Sequence, residues 1–171
     1  MNFEDIEVRI NKPYPEIENA TTDMKTVAVL KNLASSSVGE LEAVLTYIYQ
    51  SVIANKTHKD IADLFEEIAI VEMEHLDMLM NAITAFGGVP KYEDCNGTMY
   101  STKFVNYTQK LGEMLNNNIA AETATIKDYT QAINFVSNES LIKLFERIIL
   151  DEKRHLEIFK TLKDSVQFLS I

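Results

Sequence analysis

"LFEEIAIVEMEHLD" at residues 64–77 returns as "LFERIILDEKRHLE" at 144–157. The two phrases share Leu64 with Leu144, Phe65 with Phe145, Glu66 with Glu146, Ile68 with Ile148, Glu72 with Glu152, His75 with His155 and Leu76 with Leu156. Their apolar residues recur at spacings of three and four, the period of an amphipathic helix. In each copy a histidine follows a glutamate by three positions, so the two side chains share one helix face. The chain therefore reads as two similar helical halves, each carrying a Glu-x-x-His pair.

Working outward, the breaks in the helical pattern are few. Glycine and proline concentrate in the arm "NKPYPEIENATTD", where Pro13 and Pro15 exclude a helix, and in "FGGVPKYEDCNG" at 86–97. Thr21, Thr22 or Asp23 could cap the helix that follows the arm. The pattern predicts an irregular arm over 1–23 and one bundle over 24–171, with helices at 24–54, 59–86, 103–136 and 139–165. The turns near "NKTHK" and "SN" are short, so the first two helices form an antiparallel hairpin and the last two form another. A helix as long as the second spans about 40 Å, and roughly 16 extended residues reach about 50 Å. The link between the hairpins can thus cross the whole bundle. The expected fold is all-α: a four-helix bundle of two antiparallel hairpins joined by one long crossover.

The acidic residues then fall at matched heights. Glu40 and Glu72 are symmetric about the first turn, and Glu122 and Glu152 about the second. Each lies about 20–24 Å from its turn, so all four reach one depth. Glu40 sits in "VGELEAVLTYI" and Glu122 in "NIAAETATI", apolar contexts that would bury a carboxylate. Buried, unpaired carboxylates cost many kcal/mol or take up protons. Two divalent cations would cancel four glutamate charges, with both histidines neutral. Glu40, Glu72, His75, Glu122, Glu152 and His155 are accordingly the candidate ligands of a metal pair, and oxygen and imidazole donors suit iron or manganese.

At these residues the sequence resembles the ferritin-like di-iron carboxylate superfamily, closest to rubrerythrin-like and bacterioferritin-like proteins, over about 24–165. The resemblance implies that Glu72 and Glu152 bridge the two ions and that Asp151 orients a ligand histidine across the bundle; Val71 stands at the matching place in the other half, so the two metal positions should differ. Tyr47 matches a tyrosine found beside the site in bacterioferritins, which makes it the candidate catalytic residue; it reads equally well as a core aromatic. Tyr129 follows Glu122 at the offset by which Tyr47 follows Glu40. Departures from the pattern are Thr125, where rubrerythrins carry a further glutamate, and a single cysteine, which leaves no rubredoxin-type Cys-x-x-Cys pairs. Met73 occupies the place of a haem-ligating methionine in bacterioferritins, but methionine is common in this chain and no haem is expected. The stretch after the fourth helix is too short for the fifth helix of ferritin cages.

The resemblance implies an oxidoreductase with two Fe ions that reduces hydrogen peroxide or dioxygen with electrons from a separate donor protein. The alternatives are an iron-handling ferroxidase of bacterioferritin type and a manganese catalase-like centre with two Mn ions. A homodimer or larger homo-oligomer is expected.

Composition sets the remaining bounds. The 171 residues are 46% hydrophobic, enough to build one core, and no apolar run approaches membrane-spanning length. A net charge of −10 opposes binding to nucleic acid or anionic membrane. Glu4, Asp5, Glu7 and Arg9 lie where a signal peptide would need apolar residues, and the lone Cys95 reads as a loop thiol; both fit a cytoplasmic protein. His58 falls in a turn and reads as an exposed histidine. The arm could clasp the bundle or a neighbouring subunit through Tyr14 and Ile17.

Overall fold

The computed structural model describes residues 6–168, with side chains as far as 166; Glu4, Asp5 and the end of the tail lie outside the described residues. Five α-helices form: α1 (Met24–Ser35), α2 (Glu40–Ala54), α3 (Lys59–Ala85), α4 (Leu111–Ile133) and α5 (Glu139–Phe168). The all-helical bundle expected from sequence is what the chain builds, with two boundaries to correct.

The first bundle helix is broken at residues 36–39 rather than running from 24 to 54. The apolar period passes through "SSSVG" without interruption, but the serines compete for backbone hydrogen bonds and Gly39 opens α2. A Cβ on Gly39 would lie 2.4 Å from the Leu33 carbonyl oxygen, so only glycine lets the chain turn this tightly. Glu40 consequently occupies the first helical position of α2, where the helix dipole favours a negative charge. The second correction is that α4 starts at Leu111 instead of 103. A single 3-10 turn at Thr102–Phe104 precedes it, and the Asn106 side chain then accepts from Thr108 N (3.1 Å), a local turn that competes with helix.

The other boundaries follow their signals. Asp23 caps α1 by accepting from Lys25 N (3.0 Å) and Thr26 Oγ1 (2.7 Å). Gly87, at φ 83°, ends α3, with Gly88 N donating to Ile83 O at 2.8 Å. Asn138 Oδ1 accepts from Leu141 N (2.9 Å) and opens α5.

α2 packs chiefly on α3 and α4 on α5, and these pairs are the two hairpins. Leu30, Ile83, Tyr129, Leu141 and Phe145 cluster at one end of the bundle, and Phe65, Met114, Leu115, Phe159 and Leu162 at the other. The end of α3 therefore lies opposite the start of α4. The connection over 86–110 covers that distance by running along α1 and α2: Glu93 pairs with Lys31, Asn106 N donates to Thr46 Oγ1 (3.0 Å), and Tyr107 O accepts from Tyr49 Oη (3.1 Å). Between the two apolar clusters lies a polar layer.

The arm clasps its own bundle. Arg147, on α5, donates to Ile10 O (2.6 Å) and Lys12 O (2.9 Å), and Tyr14 and Ile17 pack on the core. Among the described residues no helix is long and apolar enough to cross a membrane.

Candidate metal centre

The polar layer brings together six side chains from four helices: Glu40 from α2, Glu72 and His75 from α3, Glu122 from α4, and Glu152 and His155 from α5. None is more than 2% exposed. They form two overlapping groups, Glu40–Glu72–His75–Glu152 and Glu72–Glu122–Glu152–His155, within each of which one donor atom per residue lies within 4.8 Å of the others. Two bonds of about 2.1 Å to a shared ion would set opposed donors about 4.2 Å apart, so each group is the size of one coordination sphere.

Glu72 and Glu152 belong to both groups and face both histidines. Glu72 Oε2 lies 3.1 Å from His75 Nδ1 and its Oε1 2.9 Å from His155 Nδ1. Glu152 Oε1 lies 3.0 Å from His75 Nδ1 and its Oε2 3.9 Å from His155 Nδ1. Glu40 Oε2 approaches His75 Nδ1 at 3.9 Å. Despite the short approaches, Glu72 Oε1, Glu152 Oε1 and His155 Nδ1 have no aligned hydrogen-bond partner. A cation at their centre would satisfy buried polar atoms that converge without hydrogen bonding. The carboxylate and imidazole groups suit a dinuclear metal site.

The electrostatics agree. Burial pushes Glu40 and Glu122 well above the ordinary carboxylate range, reinforced by the charges of Glu72 and Glu152 respectively. Glu152 is pushed up to about 8 by burial and by the charges of Glu72 and Glu40. Burial acts on Glu72 in the same direction, but His155 and His75 outweigh it and hold that carboxyl below its usual range. Both histidines are raised, because the surrounding carboxylates overcome their desolvation. A metal-free cluster thus holds protons where cations would otherwise balance the charge.

Each outer glutamate is gripped by a tyrosine from the opposite hairpin. Tyr47 Oη donates to Glu122 Oε1, and Tyr129 Oη donates to Glu40 Oε1. Tyr47 therefore serves the glutamate of α4 and not Glu40 on its own helix. Tyr129 has the equivalent place; its matched offset in the sequence was the available signal. Asp151 meets His75 across the bundle, Oδ2 to Nε2 at 3.3 Å, while Val71 is buried at the corresponding place in the other half. Tyr14, expected to clasp the bundle or a neighbour, and Arg147 also converge on Asp151; that convergence carried no signal in the sequence, because it depends on contacts across more than 130 residues or on partners in the arm.

The remaining sequence candidates lie elsewhere. Met73 is 43% exposed on the outer face of α3, pointing away from the cluster. His58 is partly covered rather than exposed, with Nδ1 2.8 Å from Thr57 Oγ1. Cys95 is exposed in the crossover, and Thr125 is partly buried on α4.

Comparison with known proteins places the fold. The manganese catalase KatB from Anabaena shares the fold at 23% identity, over 92% of this chain and 80% of that one, with a TM-score of 0.84. The bacterioferritin of Desulfovibrio desulfuricans, described with a diiron site, is 26% identical over 86% of this chain and 84% of that one, with a TM-score of 0.75. The Rhodobacter capsulatus bacterioferritin matches at 21% identity over 87% and 89% of the two chains, with a TM-score of 0.74. No curated protein sequence matches the chain. Residues 31–163 match the family model described as Rubrerythrin, and the chain belongs to that family, within the ferritin-like superfamily.

Proposed function

We propose that this chain is a dinuclear metal oxidoreductase of rubrerythrin type, reducing peroxide or dioxygen with electrons from a separate donor protein. The double use of Glu72 and Glu152 carries this reading: each turns one oxygen to His75 and the other to His155, the disposition of a carboxylate shared by two cations. Glu40 and His75 would complete one ion's sphere, and Glu122 and His155 the other's. Bound there, two iron ions would provide the two electrons that, with two protons, reduce hydrogen peroxide to two waters.

The chain's own groups prepare that chemistry. The apolar clusters above and below exclude bulk water, which strengthens every charge interaction within the layer. Tyr47 and Tyr129 hold one oxygen of Glu122 and of Glu40 and leave the other oxygen free to face an ion. The same hydroxyls keep a proton at those oxygens, beside the reacting centre. Asp151 accepts from His75 Nε2 and so leaves the Nδ1 lone pair for a metal.

The test is anaerobic loading with ferrous iron, elemental analysis, and mixing with stoichiometric peroxide. About two irons per chain, both oxidised by one equivalent of peroxide, are expected. A loaded protein that peroxide leaves reduced overturns the reading.

A manganese centre that dismutates peroxide without a donor is the second reading. It is favoured by the oxygen-rich donor set of four glutamates and two histidines. Sustained oxygen release from the manganese-loaded protein would move it to first place. The 26% identity to a bacterioferritin keeps iron oxidation for storage as a further use of the same centre. That use requires a large assembly, so a dimer-sized particle by light scattering would count against storage.

A further inference from the structure

Among the described residues, the arm supports only one of the two histidines. Tyr14 Oη donates to Asp151 Oδ2 at 2.7 Å and lies 3.3 Å from His75 Nε2. Ile10 N donates to Asp151 Oδ1 at 2.7 Å, and Arg147 pairs with Asp151 Oδ2 at 2.7 Å while its guanidinium lies over the Tyr14 ring, 4.4 Å from the centroid. His75 is thereby held by a carboxylate that is itself held from three directions. On the other side His155 Nε2 is buried with no hydrogen-bond partner among the described residues, and Val71 stands where an acidic residue would have to be.

An imidazole whose outer N–H is already bonded to a carboxylate has its tautomer and ring orientation fixed, and its inner nitrogen is the more basic ligand. An imidazole without that bond must be ordered when the metal arrives, which subtracts from affinity. Resting on the dinuclear reading above, we propose that Tyr14 is a positioning residue that makes the two metal positions unequal: the position built on Glu40 and His75 fills first and releases last, and the position built on Glu122 and His155 fills second. The arm is then part of the metal site, acting through Asp151 without touching an ion.

The test uses the metal-free full chain and zinc alone, which is diamagnetic and redox-inert. Calorimetric titration of the parent should show two separable steps. In nitrogen-15 histidine spectra, assigned through single-histidine substitutions, the first equivalent of zinc should move His75 before His155. Tyr14→Phe keeps the ring over Arg147 and removes only the hydroxyl; it should weaken the tighter step by about 10- to 100-fold, leave the other step unchanged, and abolish the order of filling. Simultaneous filling in the parent, filling of His155 first, or equal weakening of both steps by Tyr14→Phe would overturn the proposal. The order of filling in the parent decides the matter even if the variant folds poorly. Failure of the parent to bind zinc at either position would instead overturn the dinuclear reading, and this proposal with it.

Discussion

A carboxylate taken out of water is costly unless a proton or a cation accompanies it. In this layer four glutamates are buried together, so the residues that build the site work against the metal-free fold. Replacing Glu122 with Gln keeps the shape and removes one charge. The metal-free Glu122→Gln protein should melt at a higher temperature than the parent, yet bind one ion fewer; thermal unfolding in chelator together with elemental analysis checks both halves of this prediction. The tyrosines answer a different question. Tyr47→Phe and Tyr129→Phe each strip a buried glutamate oxygen of its donor, at a cost of about 1–3 kcal/mol. Near-equal losses in denaturant unfolding are expected, since the two occupy equivalent places in the two hairpins. The six candidate ligands were legible because the repeat, the spacing of three and the matched heights each pointed to them. Tyr14 was legible as a clasping residue of the arm but not as a neighbour of the site, because nothing local shows that it reaches a histidine 61 positions away.

The informative element is the break between α1 and α2. A helix running straight from 24 to 54 would place Glu40 mid-helix, as Glu122 is in α4; instead Gly39 turns the chain and Glu40 starts a new helix at the level of the site. Gly39→Ala sets a methyl group against the Leu33 carbonyl and should destabilise the fold by about 1–3 kcal/mol. It should also lower the occupancy of the position that Glu40 completes, measured as metal per chain after loading. The apolar period concealed this break because both segments keep the same buried stripe. The late start of α4 was hidden similarly, by helix-compatible residues that turn and hydrogen-bond to α2 instead. Arg147 shows how the arm is secured: it is 6% exposed and reaches Ile10 O, Lys12 O and Asp151.

For the molecule as a whole, the buried cluster links stability to pH. Glu152, raised from 4.5 to about 8, and Glu42, raised by burial from 4.5 to about 7, hold protons more tightly folded than unfolded. Glu40, Glu122, His75 and His155 shift in the same upward direction. Their contribution is complete below the unfolded values and is lost as pH rises through the folded ones. Glu72 and Asp151 are shifted downward, and their contribution is lost only as pH falls below the usual carboxylate range. The metal-free protein should therefore melt at a lower temperature at about pH 8 than at about pH 5.5. Metal loading should reverse the trend, because cations displace those protons and bind more tightly as they leave. Calorimetric melts with chelator and with metal at the two pH values test this, and a metal-free melting temperature that rises with pH would contradict it.

The sequence by itself determined the all-helical class, the pairing of the hairpins, the long crossover and the six side chains of the polar layer. These are consequences of period, spacing and turn length, which are local properties read along the chain, and a repeat prints its symmetry twice. Only the tertiary structure decided which tyrosine grips which glutamate, where the first bundle helix breaks, and that the arm folds onto its own bundle to hold Asp151 and, through it, His75. The break turns on a close approach within one short segment, Gly39 to the Leu33 carbonyl, which the apolar period does not report; the other outcomes depend on hydrogen bonds between segments far apart in sequence, whose geometry exists only once the bundle has packed.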